Sequence, residues 1–415
     1  LYTAVEQGIR EAMSTDNYNH RYQLVDRLCS IYREAKRKKR DGVEDDLKKF
    51  AFQQLPKVLV GQMHQYQSMV GRVSETLREV VDVRVALEFL IERVEHEPAW
   101  FRLNNQDGWS QFGHSLAWWR TQVKDLGELE ARLLRITLAE LRRDLETQQS
   151  RNRSIYHRQH SYFWAEKADD FAQTAEAVLA QRANSGVTVA FAAEYLYHGL
   201  DRCDRAIEVM LAAYGRNVLD ESGTARLVEY LHWRNRYAES IPILLPLVER
   251  RPGNLTYRVQ LMQAYFRAEQ PDKLRATLQA TDEYFHAEGR WTENAMSQLG
   301  RGCLETRLFD EAIDYLQEAI AYHQRTQPNR GIGQGTLSQY YQWLAQAFTG
   351  LGRTADAVDA ACGAVVSWGR RHDQRAQALA NLQQVLAGAP DLDGFAKELD
   401  RQAGETGQEN PIVRK

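Results

Sequence analysis

Cations set beside aromatic rings are the residues of this chain best suited to chemistry. Arg151, Arg153, His157, Arg158 and His160 interleave with Tyr156, Tyr162, Phe163 and Trp164. Such a mixture can stack bases and neutralise phosphates. On an ordinary amphipathic helix it instead buries the rings and leaves the cations in water. His157 and His160 stand three apart, as two metal ligands on one helical face would. No Cys, Asp or Glu completes a ligand set beside them, so no metal is expected. A denser basic run follows Arg33: Lys36, Arg37, Lys38, Lys39 and Arg40. It suits phosphate backbones or an acidic protein. It also suits a helix C-terminus, where cations complement the dipole and Gly42 supplies a cap. Asp41, Glu44, Asp45 and Asp46 follow at once and offset the charge locally.

Other patterns exclude more than they offer. Gly331, Gly333 and Gly335 before Thr336 have the glycine density of a phosphate loop. They lack the Lys-Ser/Thr ending, and a helical stretch, not a strand, precedes them, so nucleotide binding is rejected. No nucleophile elbow, HExxH, EF-hand loop or Cys–His signature occurs. The sequence therefore assigns no catalytic residue, cofactor or metal, and the chain is read as not an enzyme. Trp100, Phe101, Trp109, Phe112, Trp118 and Trp119 crowd into twenty residues. They read as inter-helix packing, or else as a patch for a partner.

Charge narrows the partners. Against 53 basic side chains stand 56 acidic ones, for a net charge of −3 over 415 residues. That gives no global case for nucleic acid or an anionic membrane. Cys29, Cys203, Cys303 and Cys362 are far apart and read as free thiols in a reducing compartment. The longest apolar run, near residues 241–248, is broken by Pro242 and Pro246 and is far short of the ~20 residues of a membrane span. The expected compartment is cytoplasmic. The start at Leu1 and the polar stretch 404–415 suggest a piece of a longer protein.

What must position these residues is a set of helices. Nine prolines occur in 415 residues, and helix formers dominate, so the expected fold class is all-α. Ala206, Ser240, Leu274, Ala312 and Ala357 each fall early in the second of two helical stretches, at spacings of 34, 34, 38 and 45 residues. A period near 34 carried by helix–turn–helix units signals an α-solenoid of antiparallel helix pairs. Around Ala312, Leu299, Gly300 and Cys303 face Phe309, Ile313, Leu316 and Ala319 across a turn at Arg307 and Leu308. Small residues at Gly300 and Ala312 let the helices approach, while Phe309 and Leu316 fill the space beside them.

These residues resemble the tetratricopeptide repeat (TPR). Its pattern is a small residue in helix A, an aromatic at the start of helix B, then two spaced alanines. Leu344, Ala345, Phe348, Gly352, Ala357 and Ala364 repeat it. Leu227, Leu231, Tyr237, Leu244 and Leu247 match around Ser240, with Pro252 ending helix B. Tyr197, Ala206, Ile207, Met210 and Ala213 match around Ala206. The unit of Leu261 and Tyr265 is weakest, with Leu274 and Thr281 where small residues are usual. The resemblance covers residues 187–368 and implies a right-handed superhelix. Longer helices, or an insertion at 327–335, would explain the wider late spacings.

The expected organisation is three-part. Residues 1–182 form an irregular helical region of degenerate repeats, 183–386 an array of about five TPR-like units, and 387–415 a terminal helix and polar tail. In the first part, Leu59, Met63, Tyr66, Val70, Val73, Leu77 and Val80 trace a heptad-like seam on a long helix near 56–96. It packs within the chain or on a second copy. Further helices are expected at 18–39, 83–94, 110–124, 128–147 and 156–180, with a degenerate repeat turn at Leu126 and Gly127.

TPR proteins bind extended peptides on the face that helix A lines. That resemblance brings Tyr195, His198, Glu229, His232, Trp233, Gln263, Arg267, Asn294, Arg301, Gln339, Gln342 and Gln346 to the candidate groove. The set is polar and aromatic and lacks the dense Lys/Arg clamp of chaperone-binding members. The implied function is a protein–protein interaction scaffold holding a protein or peptide partner. Two alternatives stand: a regulatory segment of a larger signalling protein or enzyme, and a nucleic-acid module using residues 33–40 and 151–164.

Overall fold

The computed structural model describes residues 18–54, 63–96, 121–147, 165–326, 335–367 and 372–387, with positions 7, 397 and 401. The described residues are helical throughout, with no strand among them. The chain divides into two compact units between Gly223 and Thr224. That division falls after the Ala206 unit, whereas the sequence placed the organisational change near residue 182. Each helix of a stacked array packs on its nearest neighbours, so repeat phase and compactness need not break at one point.

The first unit runs through α1 (Tyr18–Arg37), α2 (Asp41–Gln54), α3 (Met63–Val80), α4 (Val83–His96), α5 (Gly127–Thr147), α6 (Ala168–Gln181), α7 (Gly186–Glu194) and α8 (Cys203–Gly215). Each packs on the next in order, and α1 also packs on α3. The seam residues Val73, Leu77 and Val80 are buried, and Cys29 of α1 donates to Thr76 of α3 at 3.4 Å. The seam thus finds a partner inside the chain, α1. The long helix expected near 56–96 is two helices, because Asp82 accepts from the Arg84 backbone N–H at 2.7 Å and starts α4 afresh.

The basic run is the end of a helix. Lys39 takes a left-handed conformation (φ 52°), and the Arg40 N–H returns to the Ala35 carbonyl at 3.0 Å. The cap is therefore Lys39, and Gly42 sits inside α2. The expected turn at Leu126 and Gly127 is present, with Asp125 left-handed at φ 60°. The helix expected at 156–180 is described from a 3-10 turn, Ala165–Lys167, followed by α6. Residues 151–164, the tryptophan-rich stretch 100–119, Leu59 and residues 331–334 lie outside the described residues.

The second unit holds α9 (Glu221–Trp233, from Thr224), α10 (Tyr237–Arg250), α11 (Leu255–Arg267), α12 (Pro271–Ala287), α13 (Glu293–Glu305), α14 (Phe309–Thr326), α15 (Gly335–Gly350), α16 (Thr354–Ser367) and α17 (His372–Leu386). The odd-numbered helices from α9 to α15 are the A helices, and each is followed by its B helix. Successive A helices α11, α13 and α15 also touch one another, so they form one layer.

The repeat phase is visible in burial and in the turns. Ala206, Ser240, Leu274, Ala312 and Ala357 are each the fourth residue of a B helix, and all are buried. Five residues before each stands a left-handed residue: Asp201, Asn235, Glu269, Arg307 and Gly352. In four of these turns the next N–H reaches back five residues, as from Arg236 to Leu231 and from Leu308 to Cys303, at 2.8–2.9 Å. These are Schellman closures of the A helix, repeated four times. The first turn differs. A π-helical turn, Tyr195–Gly199, inserts an extra residue, and Arg202 reaches back to Leu196.

Close approach occurs where small residues stand. A Cβ at Gly300 would lie 2.7 Å from the Leu316 side chain, and one at Gly350 would lie 2.5 Å from the Phe309 ring. The spacing of 38 follows largely from α12, 17 residues long where α10 has 14, and α14, with 18, accounts for part of the spacing of 45. At the weakest unit, Thr281 is irregular for a reason: its hydroxyl accepts from the buried Arg258 at 3.3 Å. The apolar run at 241–248 folds as α10 with both prolines inside it. Among the described residues no helix is long and apolar enough to cross a membrane.

Candidate functional site

The A helices of the second unit carry ten of the twelve candidate residues. On α9, Glu229 is exposed and Trp233 is 56% exposed, its ring resting 5.6 Å from Tyr230. His232 turns inward. Its Nε2 lies 2.9 Å from Ser240 Oγ, and Ser240 donates its only proton to the Tyr237 carbonyl at 2.7 Å. His232 Nε2 therefore donates to Ser240, which fixes the neutral tautomer. Burial pushes the His232 pKa down to about 4. The Tyr237 ring sits between His232 at 4.7 Å and the Arg267 guanidinium at 5.7 Å. Arg267 also lies 5.7 Å over Phe266.

Farther along, three A helices are joined by one row of contacts. Gln263 of α11 donates to Glu305 of α13. Glu305 also accepts from Arg301 Nε at 2.7 Å. The Arg301 guanidinium lies 5.7 Å over the Trp343 ring of α15. Trp343 rests 6.0 Å from Tyr340, whose hydroxyl donates to Glu293 at 3.0 Å. Glu293 meets the buried His323 at 2.8 Å. This lower layer ties α13, α14 and α15 together under the row.

The remaining candidates are more dispersed. Asn294 is exposed and accepts from Gln298 at 3.0 Å. Gln339 is exposed. Gln342 donates to Ser338 Oγ at 3.4 Å, and with Gln346 it lines a cavity of about 330 Å³ beneath α17 that includes Ala361, Ala378 and Val385. Tyr195 and His198 belong to the first unit. Tyr195 does not reach an open face: it lies in the π turn and is fully buried. The extra residue of that turn rotates the helix end, so a position carried over from a regular repeat points into the core. His198 is half-buried with its ring 4.9 Å from Tyr197.

Two side chains of the row, Glu305 and Trp343, and Tyr237 beside Arg267 were not among the sequence's site candidates. Two left a signal. Glu305 stands four residues after Arg301 and Trp343 four after Gln339, so each shares its neighbour's helical face. Tyr237 opens a B helix and had no such signal. The described cations of the alternative nucleic-acid surface are engaged in part. Arg33 holds Glu79 at 2.5 and 2.7 Å, and Lys38 holds Glu34 at 2.5 Å. Among the described residues no group of acidic, His and Cys side chains could hold a metal.

No family profile matches the chain, and no curated protein matches it in sequence. Solved structures similar to this chain include two that match nearly all of it. One is the crystal structure of the APC/C hetero-tetramer Cut9-Hcn1, at 13% identity over 96% of this chain and 92% of that one, with a TM-score of 0.33. The other is a circular tandem repeat protein with novel repeat topology and enhanced subunit contact surfaces. It is 15% identical over 98% of both chains, with a TM-score of 0.23. At such scores neither likeness bears on site or partner. The all-α, TPR-like repeat architecture rests on the chain's own phase, turns and packing.

Proposed function

We propose that this chain is a non-catalytic protein-interaction scaffold whose A-helix face holds an extended segment of a protein partner. The observation that carries the reading is the row Gln263, Glu305, Arg301 and Trp343, which crosses three A helices on one side. It offers an amide, both charge signs and an aromatic face, the groups that pair with a peptide backbone and mixed side chains. Trp233 adds an exposed aromatic anchor of the kind that dominates interface energetics. Arg301 is already held by Glu305, so an arriving carboxylate would have to displace that contact. Strong capture of a C-terminal carboxylate is disfavoured for that reason. Four free thiols, three of them buried, support the placement in a reducing, cytoplasmic setting.

The test is partner capture by wild type, Trp233→Ala and Arg301→Ala, with melting followed in parallel. Both substitutions are expected to weaken capture about tenfold or more while shifting stability by less than about 0.5 kcal/mol. Unchanged capture by both variants would sink the groove assignment.

A further inference from the structure

A second surface of the same unit has a different chemistry. Where α10 turns into α11 and α12 turns into α13, a cavity of about 630 Å³ opens. Two helix N-termini border it. Asn254, Leu255 and Thr256 come from the start of α11, and Thr292, Asn294 and Ala295 from the start of α13. Both caps are long: Asn254 Oδ1 to the Tyr257 N–H and Thr292 Oγ1 to the Ala295 N–H are each 3.4 Å. The first-turn N–H groups are therefore weakly satisfied and directed outward, and each helix end carries partial positive charge.

Three arginines, Arg250, Arg251 and Arg290, line the same cavity, and no Asp or Glu does. The Arg290 guanidinium lies against Gly253, where a Cβ would fall 2.2 Å from its nitrogen. A side chain at that position would push the guanidinium aside. A fourth guanidinium supports the loop. Arg258 is 8% exposed, donates to the Pro252 carbonyl at 2.7 Å and lies 4.8 Å over the Tyr284 ring. Its other described partners are a carbonyl and a hydroxyl, Ala280 and Thr281. Among the described residues no carboxylate pairs with Arg250, Arg258 or Arg290. The C-terminal carbonyls of α10 and α12 also approach this edge. The Arg251 and Arg290 N–H groups already satisfy two of them, at Leu247 (3.0 Å) and Phe285 (2.9 Å). Glu293 begins α13 but is held by His323 and Tyr340 and does not line the cavity.

We infer that this cavity is an oxyanion site for a phosphate-type dianion, free or esterified to a residue of a partner. Two convergent helix N-termini with guanidinium groups are the donor set that phosphate takes. The cavity is larger than one phosphate and leaves room for the residue that carries it. The cavity shares Asn294 with the groove candidates but no residue with the row Gln263, Glu305, Arg301 and Trp343, and it does not depend on the scaffold reading.

Calorimetric titration at low salt with inorganic phosphate, and with a phosphoserine peptide and its unphosphorylated twin, tests it. Wild type should bind phosphate saturably, and Arg290→Ala should bind it about tenfold more weakly. Thr256→Glu places a carboxylate at the start of α11, where it favours the helix but fills the site. It should abolish phosphate binding without lowering the melting temperature, which separates site loss from misfolding. Arg267→Ala, at the opposite end of α11, should bind phosphate as wild type does. A phosphopeptide tighter than free phosphate identifies the esterified source, and equal affinity identifies the free ion. Absence of saturable phosphate binding by wild type, or wild-type binding by both Arg290→Ala and Thr256→Glu, overturns the inference.

Discussion

The two compact units hold their helices together by different means. In the first, guanidinium–carboxylate forks cross from helix to helix. Arg33 grips Glu79, Arg132 grips Glu95 at 3.0 and 2.5 Å, and Arg205 grips Glu176 at 2.7 and 2.9 Å. Arg72 adds a bridge to Asp26, and Arg202 one to Asp169. In the second unit the described pairs Arg275–Glu311 and His323–Glu293 cross between helices through single contacts, while Arg236–Glu239 and Arg353–Asp356 each span three residues at the start of one helix. There the helices meet through small residues and buried side chains such as Gly300 against Leu316. Long flexible arms tolerate variable helix spacing, whereas a glycine contact does not.

That contrast can be broken by substitution. The largest effect belongs to close packing in the second unit. Leu316→Ala, at a fully buried position, should cost about 3 kcal/mol. Ala312→Leu should cost about 2 kcal/mol by overpacking the same helix pair. Melting and amide exchange across α13 and α14 would register both, and a neutral Ala312→Leu would contradict the phase.

Next comes pH. His232 is neutral in the folded state, with its pKa held near 4 against an ordinary 6.5. The unfolded chain thus takes up the proton first as pH falls. Stability contributed by neutral His232 is full above pH 6.5 and declines between 6.5 and 4. Allowing for its partial exposure, the loss is about 1–2 kcal/mol. His232→Ala should flatten that slope, and an unchanged pH profile would show that another group sets it.

The smallest effect belongs to the first unit. Arg132→Ala removes a partly exposed fork and should cost about 0.5–1 kcal/mol, less at high salt. A loss of about 3 kcal/mol there, independent of salt, would erase the distinction between the units.

Phase was legible wherever sterics restricted the choice of residue. Ala312 and Gly300 could be read as a contact because few side chains fit there. The Schellman turns were less legible, since only Gly352 of the five left-handed residues is glycine; Asp201, Asn235, Glu269 and Arg307 do the same work. Near Asp82 the sequence offered both one long helix over 56–96 and a separate helix at 83–94; a single capping carboxylate decides for the second.

The sequence by itself determined that the chain is helical, that its later helices pair in register, and which residues lie in the core of each pair. Period and side-chain volume are local properties, readable along the chain. Only the tertiary structure decided that Tyr195 is buried by a π turn, and that Gln263, Glu305, Arg301 and Trp343 form one row. It alone brought two helix starts and three arginines to one cavity. The row depends on residues 42 positions apart meeting across stacked helices, and no single segment carries that geometry.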